Sequence, residues 1–363
     1  MTAPCVRAET LPPAVQDASA WYGPALIAEG GWLAQLDATD VAEIKAASRA
    51  LLDRGADLAR LQPVDFPLPT LAPRLSRLLH EVLEGRGFVL LRGLPVSRWP
   101  RTLSAAAFLG LGCHLGCMRP QNAAGHLLGH VRDVGLRATD PNVRIYQTHE
   151  RQTFHTDSCD IVGLLCLQTA RSGGLSALVS STTLYNEMRR RRPELAALLF
   201  EPLATDQRGE VPPGAKPWFE IPVFNWFAGR LSTIYQRQYI DSAQRFAEAP
   251  RLTAQRIEAL DLFDALANDP ALAMTMALQP GDMQFVHNHV LLHDRTAFDD
   301  WPEPERRRHL LRLWLAPAAA RELPPVYAQR YGSVEPGRRG GIALPTSAWN
   351  VPLDELSPGP QAA

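Results

Sequence analysis

The stretch QTFHTDSCDIVGLLCLQTA, residues 152–170, decides the fold. Its second half, IVGLLCLQTA, is a continuous apolar run of strand length, the pattern of a strand buried on both faces. Gly173-Gly174 then marks a turn, and LSALVSS continues as a second strand. The first half reads as the beginning of a β-strand and carries an imidazole and a carboxylate two positions apart, His155 and Asp157. Residues i and i+2 of a strand point the same way, a few ångströms apart. Two readings follow: a surface pair serving solubility alone, or two ligands of one metal ion.

The flanking sequence supplies helices and further strands. Residues 40–53 read as a helix, with Asp40 and Glu43 as a capping-box-like start and Val41, Ile44, Leu51 and Leu52 on its apolar side. After a Pro-rich linker, LQPVDFPLPTLAP, the residues Leu75, Leu78, Leu79, Val82 and Leu83 form a helical stripe stopped by Gly85 and Gly87. GFVLLRGLPV is a short buried strand. Residues 182–199, starting at a Ser/Thr cap, and 253–267, capped by Thr253, read as helices, and FEIPVFNWFAGRLSTIYQRQYI as a hairpin turning near Ala228-Gly229. MTMALQ, the turn Pro280-Gly281-Asp282, MQFVH and the apolar HLLRLWLA (309–316) complete the pattern. Helices early and strands late give the α+β class, with one large antiparallel sheet system.

The chain has 363 residues, 46% hydrophobic and 21% charged, with a net charge of −1. This is globular composition with length enough for a substantial core, and the charge balance points to neither nucleic acid nor an anionic membrane as main partner. The cysteines Cys5, Cys113, Cys117, Cys159 and Cys166 include no C-x-x-C pair and read as no disulfide framework. Cys113 and Cys117 read as buried apolar residues, and a reducing cytoplasm is the expected compartment. MTAPCVRAETLPPAVQD lacks the basic region and apolar run of a secretory signal, and no run of about 18 apolar residues suggests a membrane span. Of two basic runs, Arg189–Arg192 spreads around a helix and reads as solvated, while Arg306–Arg308 adjoins the last apolar strand.

With ten histidines and 38 acidic residues, about one H-x-[DE] arises by chance, so the pair at 155–157 is weak evidence by itself. Order adds weight. His287, His289 and His293 cluster in VHNHVLLHD after the PGD turn, and Arg312 follows within the final strand. Two imidazoles and one carboxylate on one face of an octahedral ion make the facial triad of non-haem Fe(II) oxygenases, with open positions for cosubstrate and O₂.

Taken together, GFVLLRGL (87–94), FHTD with its apolar strand, Gly-Gly-x-Ser at 173–176, PGD at 280–282, Asn288 five residues before His293, and RRRHLLR (306–312) resemble the taurine/2-oxoglutarate dioxygenase (TauD/TfdA-like) family of Fe(II)-dependent oxygenases. The resemblance runs over roughly the C-terminal three-quarters of the chain. It implies a double-stranded β-helix, a jelly roll of two facing sheets with flanking helices. Residues 1–70 would be an N-terminal extension with a surface helix packed on the core, 71–340 the dioxygenase domain and 341–363 a C-terminal tail.

The resemblance also implies roles. His155, Asp157 and His293 would bind Fe(II), with His287 and His289 structural. Arg312 and Ser176, the latter where the family commonly has Thr, would anchor the distal carboxylate of 2-oxoglutarate. Arg308, four residues earlier, sits at another frequently basic position that helps hold cosubstrate or substrate. The implied reaction takes Fe(II), 2-oxoglutarate and O₂, releases succinate and CO₂, and oxidises an unactivated C–H. The carboxylate of Asp157, which halogenases of this broad class lack, argues for hydroxylation or a related outcome such as desaturation or ring closure. Gln121, Asn122 and Arg151 are candidate substrate contacts, with Tyr235, Gln236, Arg237, Trp218, Trp226 and Phe227 nearby. The substrate expected is a small organic molecule bearing a carboxylate or amine. No nucleic acid or membrane partner is expected, and self-association is left open. Two rival readings stay: a Zn²⁺ or Mn²⁺ jelly-roll hydrolase or isomerase, and a jelly-roll binding protein without catalysis.

Overall fold

In the computed structural model, which describes residues 8–137, 143–212 and 214–353, each long apolar run is buried on both faces, and this sets the layering. Helix α1 (Gly23–Glu29) and strand β1 (Leu33–Gln35) lead into α2 (Ala38–Asp53) and α3 (Ala72–Glu84). Strand β2 (Phe88–Arg92), α4 (Arg101–Cys113), β3 (Cys117–Arg119) and β4 (Leu128–Val131) follow, then β5 (Gln152–His155), β6 (Ile161–Gln168), β7 (Ser172–Gly173) and β8 (Ser176–Ser180). Helices α5 (Ser181–Arg191) and α6 (Pro193–Leu198) precede β9 (Pro202–Asp206), β10 (Trp218–Pro222), β11 (Phe224–Phe227) and β12 (Arg230–Thr233). The remainder is α7 (Arg237–Ala243), α8 (Ala254–Ala267), β13 (Met274–Met276), β14 (Met283–His287), β15 (Leu291–Arg295), β16 (Phe298–Asp299), β17 (His309–Ala316) and α9 (Ala328–Tyr331).

The strands form two main sheets rather than a single one. The larger has the order β1-β2-β14-β6-β17-β3, with β4 also paired to β17, and the smaller the order β13-β8-β15-β5. Among the described strands only β1 and β2 pair in parallel, so a segment before residue 71 extends the larger sheet. Alternation along each strand explains the packing. Phe88, Leu90, Val162, Cys166, Val286, Leu310 and Trp314 of the larger sheet meet Leu178, Met274, Met276 and Leu291 of the smaller one. The intervening residues, among them Val89, Leu91, Ile161, Leu165, Phe285, Leu311 and Leu313, face α2, α3 and α4 through Ile44, Leu51, Leu75, Val82 and Phe108. The outer face of the smaller sheet, through Phe154, Val179 and Leu292, packs on α5, α6 and α8. The chain is therefore α+β, two facing sheets with helices outside, and the sheets form a sandwich rather than a closed barrel.

Local chemistry departs from the sequence reading in four places. Helix α2 is capped three residues earlier, by Asp37, whose carboxylate accepts from the Asp40 N–H while the Asp40 carboxylate accepts from the Asp37 N–H. Glu43 instead accepts from the backbone N–H groups of Thr70 and Leu71, tying the Pro-rich linker to the helix. Residues 182–199 split at Pro193, which cannot continue the helix that Ser180 begins. The hairpin is β11–β12, turning at Ala228 and Gly229, both at positive φ as a tight hairpin demands, but the chain then becomes α7 instead of strand. Cys117 is exposed, unlike the buried Cys113, Cys159 and Cys166; Cys5 lies outside the described residues. Arg190 and Arg191 pair with Glu187 on a helix face, and Arg192 with Glu194 and Glu258. Among the described residues no helix is long and apolar enough to cross a membrane.

Three buried histidines make stability pH-dependent. Burial pushes His287, His289 and His309 below the usual imidazole range, His309 to about 3. In the unfolded chain they titrate near pH ~6.5, so below that pH the unfolded state takes up protons that the folded state refuses. Their contribution to stability is intact above about pH 6.5 and declines by up to about 1.4 kcal/mol per pH unit for each histidine as the pH falls. Thermal unfolding of the metal-free protein between neutral and mildly acidic pH is expected to show this slope. His309→Gln is expected to reduce it by one histidine's share.

Candidate active site

Strand pairing creates the site. β15 lies between β8 and β5, with His293 directly opposite His155, and their ring centroids are 4.1 Å apart. Asp157 joins them differently from the sequence reading. β5 ends at His155, and Asp157 is held beyond it by its N–H donating to Asn288 Oδ1 at 3.0 Å and by its Oδ2 accepting from Trp314 Nε1 at 2.9 Å. One potential ligand atom from each of His155, Asp157 and His293 lies within 4.8 Å of the others, the only such cluster among the described residues. His289 points elsewhere: its Nε2 meets Asp160 Oδ1 at 2.8 Å, beside Arg339, in a fully buried network. His287 is also fully buried and outside the cluster.

The protonation states suit a cation. Burial lowers both imidazoles, with His293 brought to about 3, so both are neutral. Burial alone would raise the Asp157 carboxyl, but the Arg312 guanidinium beside it and the hydrogen bond from the Trp314 indole oppose this, and the carboxyl is held at about 2. His155 Nδ1 lies 2.8 Å from the Thr153 carbonyl oxygen, an acceptor that fixes the protonated nitrogen and leaves Nε2 as a lone-pair donor. The Gln152 side-chain amide sits 2.8 Å from that Nε2. A His₂Asp set with one ionised carboxylate and neutral imidazoles fits a divalent ion.

Two cavities meet at this cluster and share Tyr146, Gln152, His155 and Arg312 in their walls. The rear one, about 490 Å³, runs between the sheets past Leu164, Leu278 and His293 to Ser176, Arg295 and Arg308. Arg308 presses on Gly174, where a methyl group would lie 3.0 Å from its Nε, two residues before Ser176. Its buried Nη1 has no hydrogen-bond partner, and neither has Nε of Arg295, whose other nitrogens donate to the Thr148 and Glu150 carbonyls. Burial lowers both guanidiniums, Arg308 to about 10 and Arg295 to about 9. The Ser176 hydroxyl meets Gln284 Oε1 at 3.2 Å. The front cleft, about 670 Å³ including its open mouth, is lined by Arg144, Thr205, Phe219, Tyr239 and Arg330 among others.

The remaining sequence candidates divide between the cavities and the surface. Arg312 is at the cluster end of the rear cavity: Nε donates to Gln121 Oε1 at 2.7 Å, Nη1 lies 3.5 Å from Asp157 Oδ2, and the guanidinium stacks on Tyr146 and Trp314. Gln121 lines neither cavity; its amide also donates to the carbonyls of Arg312 and Leu127, so it orients the arginine. Asn122 bonds His126 within a local turn, and Arg151 pairs with Asp294 and Asn268 at the surface. Tyr235 and Gln236 line the front cleft, whereas Arg237 is neutralised by Asp241, Asp261 and Asp264. Trp218, Trp226 and Phe227 do not line it. The sequence reading missed Trp314 and Arg295, each two residues beyond a named site residue on the same strand face and so legible. It also missed Asn288's grip on Asp157 and the contributions of Arg144 and Arg330, for which no local pattern exists.

Comparison with known proteins agrees with this geometry. The family described as Taurine catabolism dioxygenase TauD, TfdA family matches residues 50–314. The FR-33289 synthase of Streptomyces rubellomurinus (strain ATCC 31215) is 32% identical over 347 residues, 94% of this chain and 97% of that protein. Asparagine oxygenase, solved with Fe(II), 2S,3S-3-hydroxyasparagine and succinate, superposes with a TM-score of 0.58 at 21% identity, covering 78% of this chain and 93% of that one. The non-haem iron oxygenase OrfP, solved with Fe and α-ketoglutaric acid, gives 0.56 at 15% identity over 78% and 93%. At these identities the two structures speak for a common fold. The chain belongs to the TauD/TfdA family, and with its His-Asp-His cluster on a jelly-roll core it is a 2-oxoglutarate-dependent non-haem iron dioxygenase.

Proposed function

We propose that this enzyme hydroxylates an unactivated C–H of a small organic substrate bound in the front cleft, with 2-oxoglutarate in the rear cavity. The balance is one substrate C–H, one 2-oxoglutarate and one O₂ giving an alcohol, succinate and CO₂. The observation that carries the reading is the end of the rear cavity. Arg308 and Arg295 each have a buried guanidinium nitrogen with no partner, close to the hydroxyl of Ser176. An unpaired buried cation is costly, and a carboxylate accepting parallel N–H bonds removes that cost. The product held by asparagine oxygenase, a hydroxylated amino acid, supports hydroxylation as the outcome.

In this reading His155, Asp157 and His293 hold the metal. When bound, Fe(II) with its cosubstrate supplies the activation of O₂. Arg308, with Ser176 and Arg295, takes the distal carboxylate of 2-oxoglutarate. This exchanges the part expected of Arg312, whose guanidinium is already engaged by Gln121 and Asp157. Arg312 instead keeps Asp157 ionised and aimed, and Trp314 and Asn288 fix that carboxylate from two further sides. Buried aromatic and aliphatic walls exclude water around the reacting centre.

Two measurements check this. Adding Fe(II) and 2-oxoglutarate without air is expected to produce the weak visible charge-transfer band of the chelate, and Asp157→Ala is expected to abolish it; a normal band in the variant removes Asp157 from the ligand set. Titrating 2-oxoglutarate against Arg308→Gln is expected to show affinity weakened about 10- to 100-fold, the loss of a charge-assisted hydrogen bond of about 1.5–3 kcal/mol. A larger loss in Arg312→Gln than in Arg308→Gln would restore Arg312 as the anchor.

A further inference from the structure

The front cleft carries more positive charge than its own residues neutralise. Arg144, Arg312 and Arg330 line it, against the single carboxylate of Asp157, which Arg312 already engages. Arg144 has an ion-pair partner in Glu210 and donates from Nη1 to the Tyr239 hydroxyl at 3.1 Å. Among the described residues Arg330 has only neutral hydrogen-bond partners, Ser158 Oγ at 2.8 Å from its Nε and Gln207 Oε1 at 3.3 Å from Nη1. Burial and the neighbouring Arg144 lower this guanidinium to about 10. Two cations brought together at a cleft wall, one without a carboxylate, make a poor structural device and a good anion seat.

We infer that Arg330, supported by Arg144 and by the hydroxyls of Ser158 and Tyr239, is the seat of an oxyanion head group on the substrate, so that this enzyme acts on small organic anions. The inference rests on the reading of the front cleft as the substrate side. Its geometry also limits substrate size. Ser158, which holds Arg330, directly follows Asp157, so the seat lies close to the metal cluster. A head group fixed there leaves room for only a few bonds before the carbon presented for oxidation. Arg330 sits on α9, beyond residues 50–314 that the family match covers.

The test uses the full-length protein under anaerobic conditions with Fe(II) and 2-oxoglutarate, and inorganic phosphate and propionate as tetrahedral and planar probes, read by calorimetry. At least one probe is expected to bind saturably. Arg330→Gln is expected to weaken that binding at least about tenfold and Arg330→Lys to recover part of it, while the affinity for 2-oxoglutarate stays within about twofold. The comparison of Lys with Gln separates loss of charge from loss of fold. Absence of binding by both probes to wild-type enzyme that shows the visible chelate band would overturn the seat, as would equal binding in Arg330→Gln. A wild-type protein without the band but with Arg330-dependent phosphate binding would sink the dioxygenase reading of the site and leave the seat standing.

Discussion

His155 and His293 face each other because β15 runs antiparallel to β5 with those two residues in register. The rest of the site is arranged around that pair. A slip of one residue would turn one imidazole to the outer face, toward α5 and α8, and the cluster would not exist. The register is secured from the other side as well, since β15 also pairs residue by residue with β8 from Leu291 to Arg295. Asp157, which lies past the end of β5, needs separate fixing, and Asn288 supplies it from the turn between β14 and β15. One short stretch, 288–293, thus provides both a ligand candidate and the clamp for another.

Charge is organised by depth. Neutral imidazoles and one ionised carboxylate occupy the centre, with Arg312 compensating the carboxylate from within the larger sheet's inner face. At each end lie guanidiniums that the protein leaves incompletely paired, Arg308 and Arg295 behind the cluster and Arg330 in front of it. In a low-dielectric interior such cations are costly, and an anion that completes them removes the cost. On the proposed reading the two sides take two different anionic molecules, one reaching from the cluster to Arg308, the other short.

Much of this was legible in the chain. Continuous apolar runs at 161–168 and 309–316 announced strands covered on both faces, and the stripe from Leu75 to Leu83 announced the helix that covers one of them. The cluster was legible because its three residues are chemically distinctive and fall in or just beyond the strands β5 and β15. The roles of the two arginines in RRRHLLR were harder to read. Both point inward, and sequence spacing does not say which end of a cavity each one reaches; Gln121, which occupies Arg312, lies 191 residues away. Glu43 and Asp37 show a smaller version of the problem. Either carboxylate could serve α2, and the Pro-rich linker's orphan N–H groups decide where Glu43 goes.

The short helix α9 brings a last consequence. His155, His293 and Arg312 lie on ladder strands, whose registers leave little freedom, while Arg330 arrives on four helical residues held by a serine and a glutamine. On the proposed reading, reagent handling and choice of what is oxidised are written in separate parts of the polypeptide. If α9 selects the substrate as proposed, exchange of that segment retunes preference without disturbing the oxidising centre.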